Sequence, residues 1–305
     1  MNKIAFLFPG QGAQYVGMGK DLYDNSPEAQ RIFKEADAVL DLPLSRMCFD
    51  GPFEELTQTK NCQPAVLTVS VAALRILNQK CPALTPLYVA GLSLGEYSAL
   101  VASGIVNFQD ALRLVRKRGE FMEEASAKNP GKMSCVLGLE PEVVRSICNE
   151  TGCEVANLNC SGQVVVSGRL SQLEALSSAA MAEGAKRVIS LDVSGAFHCS
   201  LMNDAALKLK AEIDKVCFNK AKYPLISNVD AKEQVDSAVI KRNLIKQVDS
   251  ATYWEASVRY LLGKGINTYY EIGPGSVLKG LMKKIEPGAR VVNIGKWEEM
   301  QQIAS

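Results

Sequence analysis

"PLYVAGLSLGEYSALVASG", residues 86–104, decides the fold. Its opening run, 86–90, is short and apolar and reads as a buried strand. "EYSALVAS", 96–103, reads as a helix. Between them a single serine, Ser93, stands with Gly91 two positions before it and Gly95 two positions after. Strand, tight turn and helix in that order form the setting of a nucleophile elbow. The strained turn exposes the serine Oγ, and small residues on either side avoid collisions. The start of the helix offers a backbone N–H, here that of Leu94, to a developing oxyanion. The pentapeptide alone fits a plain turn equally well, and it is the flanking strand and helix that favour a nucleophile.

The rest of the chain repeats this alternation. "IAFLF" (4–8), "PLIS" (224–227), "TYYEI" (268–272) and "RVVNI" (290–294) are further short apolar runs. Helical patterns separate them. "SPEAQRIFKEADAVL" opens with Ser26 as a cap and Pro27 at the first helical position. "QPAVLTVSVAALRILNQK" (63–80) is apolar nearly all round and predicts a buried helix. "NFQDALRLVRKRGEFMEEA" (107–125) starts with Asn107 as its cap. Strand and helix in alternation predict an α/β fold with a mostly parallel sheet. From about 131 to 193 the order changes to strand, helix, strand, strand, helix, strand. That βαββαβ order predicts a ferredoxin-like small domain, 129–196, inserted in a large domain made of 1–128 and 197–305. A cleft between the two is the expected place for a site.

Composition narrows the function classes. The 305 residues are 47% hydrophobic and 22% charged, with a net charge of +1 and no block of like charges. No nucleic-acid-binding face is expected. The nine cysteines are scattered, without C-x-x-C, and read as free thiols of a reducing compartment. No metal site is expected. The apolar run 4–8 is too short for a signal peptide's core, and no run reaches the roughly 18 apolar residues of a membrane span. The chain therefore reads as a cytoplasmic protein with no membrane segment.

A serine nucleophile needs a base, and the chain contains one histidine, His198, in "VSGAFHCSLM". A lone histidine is most often structural. If Ser93 is activated in the Ser–His manner, however, His198 is its partner, on the loop where the insert rejoins the large domain. "FLFPGQGAQYVGMG" and "EIGPGSVLKG" are glycine-rich loops after strands, but neither completes G-x-G-x-x-G, and no G-K-[ST] occurs. Such a loop can instead offer a backbone N–H to an oxyanion.

Taken in order, "FPGQGAQ", "GLSLGEYSAL", "KRGEFM", "NLNCSGQVVVSG", "GAFHCSLM", "SNV", "LIKQV" and "EIGPGSVLKGL" resemble the malonyl-CoA:acyl-carrier-protein transacylases over essentially the whole chain. The resemblance implies a hydrolase-like parallel-sheet α/β core carrying the ferredoxin-like insert. It implies transfer of malonyl from malonyl-CoA to the phosphopantetheine thiol of acyl carrier protein, for fatty acid synthesis, through a malonyl–serine intermediate. By that resemblance Ser93 is the nucleophile, His198 the base and Gln247 the residue whose backbone carbonyl orients the imidazole. The N–H groups of Gln11 and Leu94 form the oxyanion hole, and Arg118 grips the malonyl carboxylate. Three arginines share this helix, and nothing but the resemblance picks Arg118 over Arg113 and Arg116. Phe197 matches a malonyl-selecting pattern whose bulk disfavours an α-methyl branch. No cofactor beyond the malonyl-CoA substrate is implied, and a monomer is expected. Lys186, Arg187, Lys283 and Lys284 are candidate docking cations for an acidic carrier.

Departures from the family pattern are Leu92 where many members carry His, Cys160-Ser161 after the second Asn, and Cys199-Ser200 after His198. None falls on a residue assigned a role. Two readings compete with this one: a freestanding acyltransferase serving a polyketide synthase, which shares every motif, and a G-x-S-x-G serine hydrolase.

Overall fold

The computed structural model describes residues 3–304; positions 1, 2 and 305, at the outer ends of the expected large-domain span, lie outside them. Strand β1 (Ile4–Phe8) pairs in parallel with β2 (Tyr88–Gly91), the strand that leads into Ser93. Strands β3 (Lys132–Leu137), β4 (Glu154–Cys160), β5 (Gln163–Gly168) and β6 (Arg187–Ser190) form a separate antiparallel sheet in the order β4-β5-β3-β6. Strands β7 (Leu225–Ile226), β8 (Glu233–Gln234), β9 (Thr268–Ile272) and β10 (Arg290–Ile294) complete the first sheet, ordered β10-β9-β1-β2-β7-β8. Every neighbouring pair there is parallel except β7 and β8. The expected α/β architecture with a mostly parallel sheet is present. Its one antiparallel edge, β8, is a Glu-Gln pair that carries no apolar signal in the sequence.

The central strand shows why the sheet is buried on both faces. Phe6 and Phe8 enter one hydrophobic core, while Ala5 and Leu7 enter the other with Trp254, Leu278 and Met282. Successive side chains of a strand point to opposite faces, so a strand covered on both sides reads as an unbroken apolar run. On the first face lies the helix Thr59–Lys80, buried over most of its circumference as its sequence predicts. The helix Pro27–Leu40 is capped by Ser26, whose Oγ accepts from the Ala29 N–H at 3.3 Å. Asn107 caps the helix Phe108–Lys128 in the same way, at 2.8 Å.

The helices Thr59–Lys80 and Phe108–Lys128 approach closely at Gly119, where a Cβ would sit 2.6 Å from the Lys60 Cα. Pro64, inside the first helix, has no N–H to give the Lys60 carbonyl. Arg116 fills that vacancy with its Nη1 at 3.1 Å, while its Nε bonds Glu120 at 2.7 Å.

The small antiparallel sheet, with the helices Pro141–Thr151 and Leu170–Ala182, occupies 132–190 of the chain. It is stitched to the rest at Thr252. The Thr252 N–H donates to the Ala156 carbonyl, the Leu158 N–H donates to the Thr252 carbonyl, and Asn157 Nδ2 donates to Thr252 Oγ1 at 2.5 Å. Among the described residues no helix is long and apolar enough to cross a membrane, and no group of three or more His, Cys, Asp or Glu is placed to hold a metal.

Candidate active site

Three adjacent parallel strands, β1, β2 and β7, send their carboxyl ends to one place. The segment after β1 carries Gly10 and Gln11, the turn after β2 carries Ser93, and the loop after β7 carries Asn228. This is where an open parallel sheet usually receives a ligand.

The turn at Ser93 is built as tightly as its glycines imply. Ser93 adopts φ 52°, a left-handed conformation uncommon for a residue with a Cβ. A Cβ on Gly91 would lie 2.0 Å from the Gly95 carbonyl carbon, and one on Gly95 would lie 2.1 Å from the Phe8 carbonyl oxygen. Asn228 clamps the turn from the next strand. Its Oδ1 accepts from the Ser93 N–H at 2.6 Å, and its Nδ2 donates to the Gly91 carbonyl at 2.7 Å. Gly10 lies so near that a Cβ there would meet the Leu92 oxygen at 2.3 Å. The backbone N–H groups of Gln11 and Leu94 border the same cleft, and neither donates to a partner among the described residues.

The Ser93 hydroxyl meets two functional groups. Its Oγ is 2.8 Å from His198 Nε2 and accepts from Arg118 Nη2 at 3.0 Å. His198 Nδ1 lies 2.7 Å from the main-chain carbonyl of Gln247. That carbonyl belongs to the last turn of the helix Ser237–Val248, where carbonyls have no intrahelical donor. The Nδ1–H donates to it, leaving Nε2 as the acceptor facing the serine. Burial, reinforced by the Arg118 charge, pushes the imidazole down to about 4, so it is neutral near pH 7. His198 itself has φ 57°. The carbonyl just before it, that of Phe197, accepts from Ser167 Oγ at 2.6 Å, which ties the histidine loop to β5.

Arg118 lies in the middle of its helix and is 1% exposed. Its Nη1 donates to Gln63 Oε1 at 2.8 Å and its Nη2 to Gln247 Oε1 at 3.0 Å. Its Nε is buried without a partner among the described residues. The Gln247 side chain turns its amide nitrogen toward the Ser93 carbonyl at 3.0 Å and toward Glu96 Oε2. Arg113 faces outward toward Asp110, and Arg116 repairs the helix at Pro64, so neither competes with Arg118 for the cleft.

The cleft encloses about 340 Å³ and is shared by both sheets. Gln11, Ser93, Leu94, Arg118, Phe197 and His198 face the small sheet's Met133, Asn157, Asn159, Gln163 and Val165 across it. Gln247 is buried behind this wall. The seven residues expected to act on the acyl group therefore converge on one place, and the candidate docking cations Lys186, Arg187, Lys283 and Lys284 are not among the residues that line it. Three contributors were missed there: Gln63, Glu96 and Asn228. "SNV" and "GLSLGEYSAL" mark the positions of the last two, but nothing local in them announces the partner.

An acyl transferase domain matches residues 5–298. The malonyl CoA-acyl carrier protein transacylase of Bacillus subtilis is 46% identical over 306 residues, spanning 99% of this chain and 96% of that one. This chain belongs to the malonyl-CoA–acyl carrier protein transacylase family. Solved members of this transacylase family share the fold closely. An acyl carrier protein S-malonyltransferase from Vibrio cholerae superposes with a TM-score of 0.95 at 37% identity, spanning 99% of this chain and all of that one. A malonyl-transacylase solved with its type II polyketide acyl-carrier protein superposes with a TM-score of 0.96 at 36% identity, spanning 99% of this chain and 98% of that one.

Proposed function

We infer that the chain transfers malonyl from malonyl-CoA to the phosphopantetheine thiol of acyl carrier protein, supplying fatty acid synthesis. The observation that carries the reading is the hydroxyl of Ser93 held between a neutral imidazole and a buried guanidinium. Ser93 Oγ attacks the thioester carbonyl while its proton passes to His198 Nε2. The N–H groups of Gln11 and Leu94 receive the oxyanion. The C–S bond then breaks, and the coenzyme A sulfur takes the proton back from Nε2. In the second half the carrier thiol gives its proton to His198 and attacks the malonyl–serine ester. The C–O bond breaks, and Ser93 Oγ recovers the proton. Gln247 holds the imidazole throughout. No step calls on a metal or a bound cofactor, and every group named comes from one copy of the chain, which fits a monomer.

Arg118 supplies the selectivity. A guanidinium binds a carboxylate through two parallel hydrogen bonds, and Nη2 can pass from the Ser93 hydroxyl to the malonyl carboxylate. Phe197, walling the cleft beside His198, limits the room for an α-branch. The large domain at 1–128 and 197–305 carries the chemistry, and a ferredoxin-like domain at 129–196 closes the cleft. The carrier approaches at its mouth, where Lys284 donates to Gln163 at 2.8 Å.

The test is intact-mass analysis after mixing with malonyl-CoA or acetyl-CoA. Ser93→Ala should show no adduct, and a persisting malonyl adduct would move the nucleophile elsewhere. A charge-assisted pair contributes about 1.5–3 kcal/mol. Arg118→Ala should therefore lose about a tenfold to hundredfold in malonyl acylation, with acetyl acylation unchanged or faster. Arg118→Lys should recover only part of the loss. Equal losses for both thioesters would make Arg118 structural.

A further inference from the structure

Glu96 sits behind the site with no part in the chemistry above. It is 1% exposed, on the helix Gly95–Ala102 that begins just after the nucleophile turn. One of its oxygens accepts from Gln247 Nε2, and the other, Oε1, has no partner among the described residues. The Gln247 amide is thus a bridge, receiving Arg118 at its oxygen and giving its nitrogen to Glu96. Arg118 hydrogen-bonds only to two side-chain amides and a hydroxyl, and no carboxylate among the described residues forms an ion pair with it. Among the described residues Glu96 is the one carboxyl whose charge acts on it, through a single amide. A buried guanidinium without an opposing charge is costly, so Arg118 favours the ionised carboxyl, while burial of that carboxyl favours the neutral one.

A malonyl group changes the balance, because its own carboxylate docks on the same guanidinium. One cation then faces two anions in a dry site, and two nearby carboxylates resist both being ionised. We propose that the malonyl carboxylate docks on Arg118 only while the Glu96 carboxyl is protonated, and that ionised Glu96 is instead the counter-charge Arg118 keeps in an empty cleft. The proposal rests on the transacylase reading. Acetyl, which lacks the carboxylate, should be indifferent to the state of Glu96.

The groups facing Glu96 are few. Arg118 comes from the helix Phe108–Lys128, Asp230 from the loop after β7, and Tyr97 is its neighbour on its own helix, while His198 lies across Gln247. The strands β1, β2 and β7 and the helix Thr59–Lys80 also pack against this helix, and no charge from their described residues acts on Glu96. Burial already pushes its carboxyl up to about 8, against the pull of hydrogen bonds from Gln247 and the Asn228 backbone and of the Arg118 charge. The neutral carboxyl that malonyl requires is therefore the prevailing form near pH 7, and the ionised one takes over above about pH 8.

The experiment is the pH dependence of kcat/KM for acylation of Ser93, followed by rapid quench and intact mass, with malonyl-CoA and acetyl-CoA in parallel. In the wild-type protein the malonyl rate should fall above about pH 8, by up to about tenfold per pH unit, as the protonated fraction falls. The acetyl rate should show no such fall. Glu96→Gln, neutral at every pH, should abolish the malonyl fall. A fall shared by both thioesters, or one that survives in Glu96→Gln, would overturn the proposal. Should that variant fail to fold, the wild-type malonyl-to-acetyl ratio decides alone, and a ratio constant from pH 7 to about pH 10 would overturn it. Absence of a Ser93 adduct at every pH would instead sink the transacylase reading on which it stands.

Discussion

His198 shows how much of this site is set one residue at a time. An imidazole with a folded pKa near 4 and an unfolded value near 6.5 is less protonated in the fold than in the open chain. The unfolded state therefore binds more protons between those values, and this group removes stability as pH falls from about 6.5 toward 4. The same depression keeps Nε2 free to act as a base well into acid. Acylation by acetyl-CoA should stay level down to about pH 5 and bend near 4, measured in a brief pH jump before unfolding. A bend near 6.5 would mean that the imidazole is more solvated than its burial implies, or that it is not the base. Ser93 and His198 were legible because one turn and one unique residue type mark them. Gln11, Leu94, Gln247 and Arg118 were legible only through the motifs of the family. Glu96 and Asn228 lie inside those motifs and Gln63 in none, but nothing local in any of them names its partner. Glu96 meets Gln247 across a separation of 151 positions, and Asn228 meets Ser93 across 135. Contacts of that span have no local spacing to read.

At the scale of elements, the site depends on backbones coming unusually close. Gly95 starts the helix after the serine with no room toward β1, since a Cβ would lie 2.1 Å from the Phe8 oxygen. The obstacle is main chain and cannot rotate away. Gly95→Ala should lower stability by about 1–3 kcal/mol, the usual cost of overpacking, and reduce the Ser93 adduct with it. Gly280, exposed inside the helix Val277–Ile285, is the contrast, for a Cβ there meets nothing within 4 Å. Gly280→Ala should stabilise by about 0.5–1 kcal/mol with acylation unaltered. Urea unfolding of both variants tests the pair, and a similar shift for both would mean that the turn has slack. Strands β1, β2 and β7 were legible because burial on two faces makes them almost uniformly apolar, and β9 and the edge strand β10 because apolar residues still dominate them. The glutamate and glutamine of β8 were not, because only pairing with β7 makes them a strand. The rank of Arg118 among its neighbours was hidden for a similar reason, being set by how near Gly119 lets two helices come.

The whole molecule places its chemistry in a gap between two sheets, so its geometry is only as firm as the seam joining them. Thr252 carries part of that seam with two main-chain hydrogen bonds and its hydroxyl. Thr252→Val keeps the shape and leaves Asn157 Nδ2 without its acceptor, a loss of about 1–3 kcal/mol for a buried donor. Asn157 also lines the cleft, so KM for malonyl-CoA should rise more than kcat falls. An unchanged KM with lowered stability would show that the seam holds the fold without shaping the cleft. The separate antiparallel sheet was legible as a change of rhythm from 131 to 193. The seam was not, since residue 252 lies far beyond the insert in sequence and gives no sign of pairing with residue 157.

The left-handed backbone at Ser93 has a consequence for anyone breeding hardier versions of this chain. Glycine is the residue that accepts φ 52° at no steric cost, and glycine has no hydroxyl. At this one codon a search guided by heat resistance alone is drawn toward a silent enzyme. Selection for survival has to be coupled to selection for turnover, or it will trade one for the other here first.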